Sequence, residues 1–163
     1  MIQYADIKYN DTTNGFGICV SLWFQGCPHR CKGCHNPETW DFLGGKQISN
    51  QELKDLILSA LEKNGVHRNL SLLGGEPLQE NNKDFIADLA AAAKQQNPNI
   101  KIFMWTGYDM SFVKQYFSKA IENIDYIIDG KFILEERDIT LKWRGSPNQS
   151  VYERNGNSWK KIY

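Results

Sequence analysis

The chain has 163 residues, a length typical of one domain, and 41% of them are hydrophobic, which is enough for an ordinary globular core. Its 19 Lys and Arg residues balance 19 Asp and Glu residues, and this near-zero net charge argues against nucleic-acid binding driven by phosphate neutralisation. No apolar run is long enough to span a bilayer and residues 1–10 lack a signal-peptide pattern, so we expect a cytoplasmic protein, bound to no membrane, whose thiols stay reduced.

Strand and helix patterns alternate along the chain. Strands are predicted for residues 17–24, 70–73, 100–105 and 124–128, where apolar residues cluster or alternate. Helices are predicted after the N-cap Ser49, with Glu52 as its capping-box partner, and over 82–96 and 110–118. This βαβ spacing predicts one α/β domain over 1–163, a partial (β/α) barrel with a mainly parallel, curved sheet and outer helices. The chain is too short for a complete eight-stranded barrel, which typically needs about 250 residues.

Polar or glycine-rich groups follow the C-terminal ends of all four predicted strands. They are the cysteine loop over 25–40, Gly74-Gly75-Glu76-Pro77, Thr106-Gly107 and Asp129-Gly130-Lys131. The carboxyl ends of parallel strands meet at one edge of the sheet, where α/β proteins bind their ligands. The sequence therefore predicts that these groups share one site.

The cysteine loop carries Cys27, Cys31 and Cys34 with the spacing Cys-x3-Cys-x2-Cys, and no cysteine follows. Three thiolates on one loop suit a [4Fe-4S] cluster with one iron left open for a substrate or cofactor. The alternative is structural zinc with His29 or His35 as a fourth ligand, although zinc sites usually combine two separated ligand pairs. Cys19, in the first predicted strand, is interpreted as a buried thiol and not as a ligand.

The other polar groups each have a structural and a functional interpretation. Glu76 can bind a ligand ammonium group or lie near a helix dipole. Asp129 and Lys131 can bind ribose hydroxyls, a carboxylate or a cation, or form a solvated pair that contributes less than about 1 kcal/mol. His29 can donate to a cluster sulfur or be a solvated loop histidine, and Trp40 can pack over the cluster or belong to an ordinary core.

The cysteine spacing and the downstream Gly74-Gly75-Glu76-Pro77 resemble the radical S-adenosylmethionine enzymes. Within this superfamily, the chain resembles one branch in particular, the activating proteins of the anaerobic ribonucleoside-triphosphate reductase. The motifs that carry this likeness are Asn36-Pro37-Glu38-Thr39-Trp40, Trp105-Thr106-Gly107-Tyr108, Ile128-Asp129-Gly130-Lys131-Phe132 and Trp143-Arg144-Gly145-Ser146-Pro147-Asn148-Gln149. The likeness covers most of the chain. Lys32-Gly33 departs from the superfamily pattern, which usually has an aromatic residue just before the last cysteine.

The resemblance implies a set of ligands and a reaction. Cys27, Cys31 and Cys34 would hold one [4Fe-4S] cluster, and the open iron would be chelated by the amino and carboxylate groups of S-adenosylmethionine. The implied cofactor contacts are Gly74, Gly75 and Glu76, with Asn36, Thr106, Asp129 and Lys131 as further candidates. The cluster would cleave S-adenosylmethionine reductively to a 5′-deoxyadenosyl radical, which would take a hydrogen atom from a glycine of the reductase. No catalytic residue is expected beyond the cluster.

The resemblance also implies two protein partners. One is the large subunit of the reductase with its glycyl-radical loop, and the other is a low-potential electron donor such as flavodoxin. The segment 139–163 is loop-like and aromatic, so it can form a docking surface for the reductase or simply cover the sheet. Two alternatives stay open, an activator of another glycyl-radical enzyme such as pyruvate formate-lyase and a non-catalytic zinc or electron-transfer module.

Overall fold

The computed structural model describes residues 1–163 as an eight-stranded sheet with three α-helices. The strands are β1 (Ile2–Asp11), β2 (Cys19–Phe24), β3 (Lys46–Ile48), β4 (Asn69–Gly74), β5 (Ile102–Trp105), β6 (Tyr126–Asp129), β7 (Ser150–Asn155) and β8 (Ser158–Lys161). The helices are α1 (Asn50–Leu61), α2 (Lys83–Gln96) and α3 (Met110–Tyr116). None of these helices combines the length and the apolar character that crossing a membrane requires.

The sheet is mixed, with the strand order β3-β1-β2-β4-β5-β6-β7-β8. The four central strands β2, β4, β5 and β6 pair in parallel, and the outer pairings β1–β2, β1–β3, β6–β7 and β7–β8 are antiparallel. The sequence predicts a mainly parallel sheet because its strand signals come only from the central four. The partial barrel stays a prediction.

The central strands and the helices lie where the sequence predicts them and differ only at their ends. The start of α1 has the predicted capping box, since the Glu52 N–H donates to Ser49 Oγ and the Ser49 N–H donates to the Glu52 carboxylate. The start of α3 is capped in a related way, because the Asp109 side chain accepts from the Phe112 N–H. Local sequence therefore determines where these helices begin.

The two faces of the sheet are covered differently. Ile102 and Met104 of β5 belong to the buried core that packs against the helices. Phe103, between them, points to the opposite face, where it stacks on Tyr126 with 4.8 Å between ring centroids and meets the edge of Trp143 at 5.3 Å. This alternation is the period-two pattern of a strand. An aromatic cluster thus covers the face that the helices leave free.

The C-terminal segment divides into two parts. Residues from Ser150 onward form the β7–β8 hairpin, in which Val151 is fully buried opposite Ile128 of β6. The prediction that this tail is loop-like is therefore wrong from Ser150 onward. The hairpin turns at Gly156, which has a φ of 62°, and the Asn155-Gly156 dipeptide is a strong hairpin signal. Residues 139–149 remain outside the sheet, as the sequence indicates.

Candidate functional site

A cavity of about 690 Å³ lies at the carboxyl ends of the central strands. Each of the four turns that follow these strands contributes to its wall, through Cys27 after β2, Gly75 after β4, Thr106 after β5 and Gly130 after β6. The segment before β7 completes the wall. The polar groups that the sequence places after successive strands therefore meet in one cavity.

Cys27, Cys31 and Cys34 all line this cavity, and all three are partly exposed free thiols. The backbone N–H of Asn36 donates to the Cys34 sulfur at 3.4 Å. Burial raises the pKa of the Cys27 thiol, although the backbone N–H groups of His29 and Arg30 act in the opposite direction. Metal binding replaces the thiol proton, so these sulfurs are suited to act as ligands.

Three partly exposed thiols on one loop fit an iron–sulfur cluster, because thiolates are the ligands that hold such clusters. A structural zinc ion needs four ligands, so it would require a fourth from another side chain.

The two histidines proposed as a fourth zinc ligand have other neighbours. His29 Nε2 is bonded to Glu76, and the His35 ring packs on Phe132 with 5.6 Å between centroids. Cys19 is fully buried at the start of β2 and does not line the cavity. Cys19 and Phe24 are the first and last residues of β2, five steps apart along the strand, a span of about 16 Å. The interpretation of Cys19 as a buried thiol is confirmed.

The carboxylate of Glu76 is fully buried and takes part in four hydrogen bonds. Its Oε1 accepts from the Leu78 N–H and the Thr106 hydroxyl, both at 2.8 Å. Its Oε2 accepts from the Gly107 N–H and from His29 Nε2, also both at 2.8 Å. Because a carboxylate offers about four acceptor positions, no vacant one is left for a ligand ammonium group. Glu76 connects three loops of the cavity wall, and the geometry does not support the predicted contact of its carboxylate with the cofactor.

Two glycines allow the cysteine loop to pack against the neighbouring turns. A Cβ at Gly75 would lie 2.4 Å from the Gly26 carbonyl oxygen, and a Cβ at Gly107 would lie 2.3 Å from the His29 ring. Both distances are too short for any side chain. The Gly75 carbonyl oxygen, in contrast, is used by no hydrogen bond within the chain. This oxygen is an acceptor that the turn can offer to a ligand.

The remaining predicted cofactor contacts differ in where the structure places them. Gly74 and Thr106 line the cavity, but the Thr106 hydroxyl is engaged by Glu76. Asn36 and Lys131 line it with side-chain polar groups that bond to no other residue of the chain. These two side chains can therefore reach a ligand.

Asp129 is absent from the cavity wall. Its carboxylate accepts from the Met110 N–H at 2.8 Å and from the Ser150 N–H at 3.0 Å, so it joins the start of α3 to the start of β7. Burial raises the pKa of Asp129, and these two hydrogen bonds oppose that rise. The structure thus gives Asp129 a structural role, and its contact with the cofactor stays a prediction.

Residues 143–149 hold the segment that follows β6 in place through hydrogen bonds. The sequence assigns no separate role to this motif. Gln149 accepts from the Gly145 N–H and donates to the Gly130 carbonyl, both at 2.9 Å. Asn148 donates to the Lys131 carbonyl at 2.7 Å, and Ser146 Oγ accepts from the Ile133 N–H at 3.1 Å. These residues fix the cavity wall between β6 and β7.

The same wall contacts the cysteine loop at Gly33, just before its last cysteine. A Cβ at Gly33 would lie 2.7 Å from the Leu134 side chain, so the glycine admits Leu134. Phe132 lies beside His35 and lines the cavity. Trp40 lines the cavity from the cysteine loop itself, which favours the interpretation that it covers the site. Apolar side chains from two segments therefore border the thiols.

Comparison with known proteins identifies the family. Residues 13–152 match the 4Fe-4S single cluster domain. An anaerobic ribonucleoside-triphosphate reductase-activating protein of Vibrio cholerae is 37% identical over 151 residues, which are 92% of this chain and 95% of that protein. A protein of the same name from Enterobacteria phage T4 is 36% identical over 98% of this chain and 99% of its own length. Another from Escherichia coli K12 is 34% identical over 87% of this chain and 92% of its own length. The chain belongs to the family of anaerobic ribonucleoside-triphosphate reductase-activating proteins, which carry a 4Fe-4S cluster domain.

Proposed function

We propose that this protein cleaves S-adenosylmethionine reductively and thereby generates the glycyl radical of an anaerobic ribonucleoside-triphosphate reductase. The observation that carries the proposal is the cavity in which three free thiols of one short loop meet the turns after three further strands. The relatives of this chain are named as activators of that reductase. Their similarity extends over nearly the whole chain, so the same partner is inferred here.

Cys27, Cys31 and Cys34 are the residues that would hold the [4Fe-4S] cluster, leaving one iron for the cofactor. When bound, the cluster supplies one electron for cleavage of the sulfur–carbon bond of S-adenosylmethionine, and the products are methionine and, after hydrogen abstraction from the glycine, 5′-deoxyadenosine. A low-potential donor such as flavodoxin would supply that electron. The four thiols of the chain are free, which accords with a reducing cytoplasm.

The protein residues bind, orient and shield the reactants. The free Gly75 carbonyl oxygen is the acceptor suited to the cofactor ammonium group. Lys131 and Asn36 offer donors to its carboxylate or ribose. The hydrogen bonds of Glu76 keep Gly75 at a fixed position relative to the cysteine loop, and Trp40 and Phe132 limit the access of water.

The test is the appearance of a glycyl radical on the purified reductase. The reconstituted protein, the reductase, S-adenosylmethionine and a low-potential reductant are incubated without oxygen, and the radical is counted by electron paramagnetic resonance. We expect one 5′-deoxyadenosine for each radical formed. A parallel incubation with pyruvate formate-lyase identifies the partner, and radical formation only on that enzyme would refute the proposal.

A further inference from the structure

One loop of the molecule, the rim loop over 138–145, places an apolar side chain in water beside the cavity. Its residue Ile139 lines the cavity and is 83% exposed. Ile128 and Leu73 line the same cavity but are only 1% and 6% exposed, because they are packed into its wall. A side chain with as much exposed surface as Ile139 stands free of the wall. Ile139 therefore lies at the rim, where the cavity opens to water.

The rim loop is held in a fixed conformation. Its two ends are joined, since the Asp138 N–H donates to the Gly145 carbonyl at 2.9 Å. The Asp138 carboxylate also accepts from the Thr140 N–H at 2.9 Å, and the Trp143 carbonyl accepts from the Trp105 Nε1–H at 2.7 Å. A compact surface loop with joined ends is an Ω-loop, a class that frequently carries function. The fold thus enforces the exposed position of the apolar tip.

The tip of the rim loop also has unused backbone groups. The Ile139 N–H and the carbonyl oxygens of Ile139 and Thr140 form no hydrogen bond within the chain. Extended peptides bind such groups through main-chain hydrogen bonds, while side chains provide the apolar contacts. The tip therefore offers both kinds of contact that a polypeptide segment uses.

The position of the tip at the rim favours one partner over the others. The relatives of this chain are named as activators of the reductase, and radical transfer to a glycine requires a segment of that enzyme to enter the cavity. An electron donor delivers only an electron and has no need to pass the rim. A second copy of this chain seated on the rim would close the cavity to the reductase.

We propose that Ile139, at the tip of the rim loop, is a docking contact for the reductase segment that carries the target glycine; this inference rests on the proposed function. The groups assigned to the cofactor are the thiols and the Gly75 carbonyl, and an aliphatic side chain offers no partner to the cofactor's amino and carboxylate groups. A reductase segment that crosses the rim covers Ile139, and burial of this apolar surface stabilises the complex.

The test is the affinity of the cluster-loaded protein for the purified reductase, measured by calorimetry without S-adenosylmethionine. We expect Ile139→Asp to raise the dissociation constant about tenfold or more, as expected when a charge replaces an important apolar contact. Leu43→Asp is the matched control, because Leu43 is 90% exposed but does not line the cavity. The same substitution there should change the dissociation constant by less than about twofold.

Further measurements separate the reductase from other occupants. Ile139→Asp should lower the number of glycyl radicals formed per 5′-deoxyadenosine, a ratio that does not depend on cluster loading. An unchanged affinity for the reductase in Ile139→Asp would overturn the proposal, and so would equal losses in Ile139→Asp and Leu43→Asp. A change only in the sedimentation of the isolated protein would assign the rim loop to a second copy, and weaker binding only of S-adenosylmethionine would assign it to the cofactor. Either result would also overturn the proposal.

The design keeps folding and the proposed function apart from the docking contact. Both variants change a side chain in water, so both should keep the wild-type melting temperature, and Ile139→Ser replaces the aspartate variant if that one does not fold. A wild type that produces no 5′-deoxyadenosine refutes the proposed function, and the measured affinities still judge the docking contact. A wild type without measurable affinity for the reductase would overturn the docking contact itself.

Discussion

The imidazole Nε2 of His29 lies 2.8 Å from Oε2 of Glu76, and both side chains are almost completely buried. His29 belongs to the cysteine loop and Glu76 to the turn after β4, so this contact joins the loop that we propose holds the cluster to the turn that we propose binds the cofactor. Because a carboxylate can only accept, Nε2 carries the hydrogen in this bond. This side-chain bond adds to the backbone bond from the Glu76 N–H to the Gly26 carbonyl at 2.8 Å, and the two together hold the cysteine loop against the turn that carries the Gly75 carbonyl.

Replacing His29 by alanine should loosen this connection. We expect His29→Ala to lower the free energy of unfolding by about 1–3 kcal/mol, because a hydrogen bond to a buried charged group is lost. The measurement is urea denaturation of the metal-free protein. His67→Ala is the control, since His67 is exposed and bonded only to Asn69 at 3.2 Å. Equal stability of the two variants would show that the His29 bond does not hold the loop.

Replacing Glu76 by glutamine tests whether both carboxylate oxygens are needed. Each oxygen accepts a backbone N–H, from Leu78 on one side and from Gly107 on the other. A glutamine has one oxygen and one NH₂ group, so its NH₂ must face one of these two donors. We expect Glu76→Gln to cost about 1–3 kcal/mol of stability, measured by urea denaturation. The exposed Glu80→Gln, which loses only an ion pair with Lys83, should change stability by less than about 0.5 kcal/mol.

Adding a methyl group at Gly75 should separate the turn from the cysteine loop. A Cβ there would meet the Gly26 carbonyl oxygen, which is backbone and cannot rotate away. We expect Gly75→Ala to lower the melting temperature and to raise the dissociation constant for S-adenosylmethionine, measured by calorimetry on reconstituted protein. Gly156→Asn is the control, because Gly156 has open space around it and asparagine tolerates its left-handed backbone. Wild-type affinity in Gly75→Ala would contradict the assigned position of this turn.

The stability of the protein should depend on pH through Asp11, at the end of β1. Burial alone would raise its pKa, but hydrogen bonds from Asn14, Ser21 and Thr13 outweigh it and lower the pKa from 3.8 to about 2. The folded-state pKa is below the unfolded one, so this carboxylate stabilises the fold above pH 3.8, and the contribution is lost as the pH falls towards about 2. Asp11→Asn should therefore be less stable than the wild type at pH 7, by at most about 2 kcal/mol. The difference in unfolding free energy between the wild type and Asp11→Asn should shrink as the pH falls from 3.8 towards about 2. A difference that stays constant over this range would contradict the assignment.

The central part of the fold could be predicted from the sequence because its signals are local. β2, β4, β5 and β6 contain apolar runs, and Ser49 and Glu52 form a capping box within four residues. The outer strands could not be predicted in this way, because in β1 only Ile2 and Asp11 are buried. β1 pairs antiparallel with both of its neighbours, and an antiparallel strand with one face in water needs few apolar residues, so its pattern is weak. Asn155-Gly156 was the signal that could have identified the last hairpin.

The candidate site could be predicted where its chemistry lies in residue type and spacing. The cysteine spacing and the glycines of the turn after β4 are examples, and the structure brings both to one cavity. The hydrogen-bond partners of Asp129 and His29 could not be predicted because they are remote in sequence. Asp129 accepts from Ser150, 21 residues away, and His29 bonds to Glu76, 47 residues away. Only the folded chain reveals which polar groups already have a partner.

The central claim is that three thiols and no others hold a cluster that cleaves S-adenosylmethionine. The most direct measurement is the yield of 5′-deoxyadenosine from anaerobically reconstituted single variants of the four cysteines, given a strong reductant and S-adenosylmethionine. We predict that Cys27→Ser, Cys31→Ser and Cys34→Ser each abolish the product, whereas Cys19→Ser, whose thiol is buried away from the cavity, retains it. Equal loss in all four variants, or no product from a wild type that binds zinc in place of iron, would contradict the account.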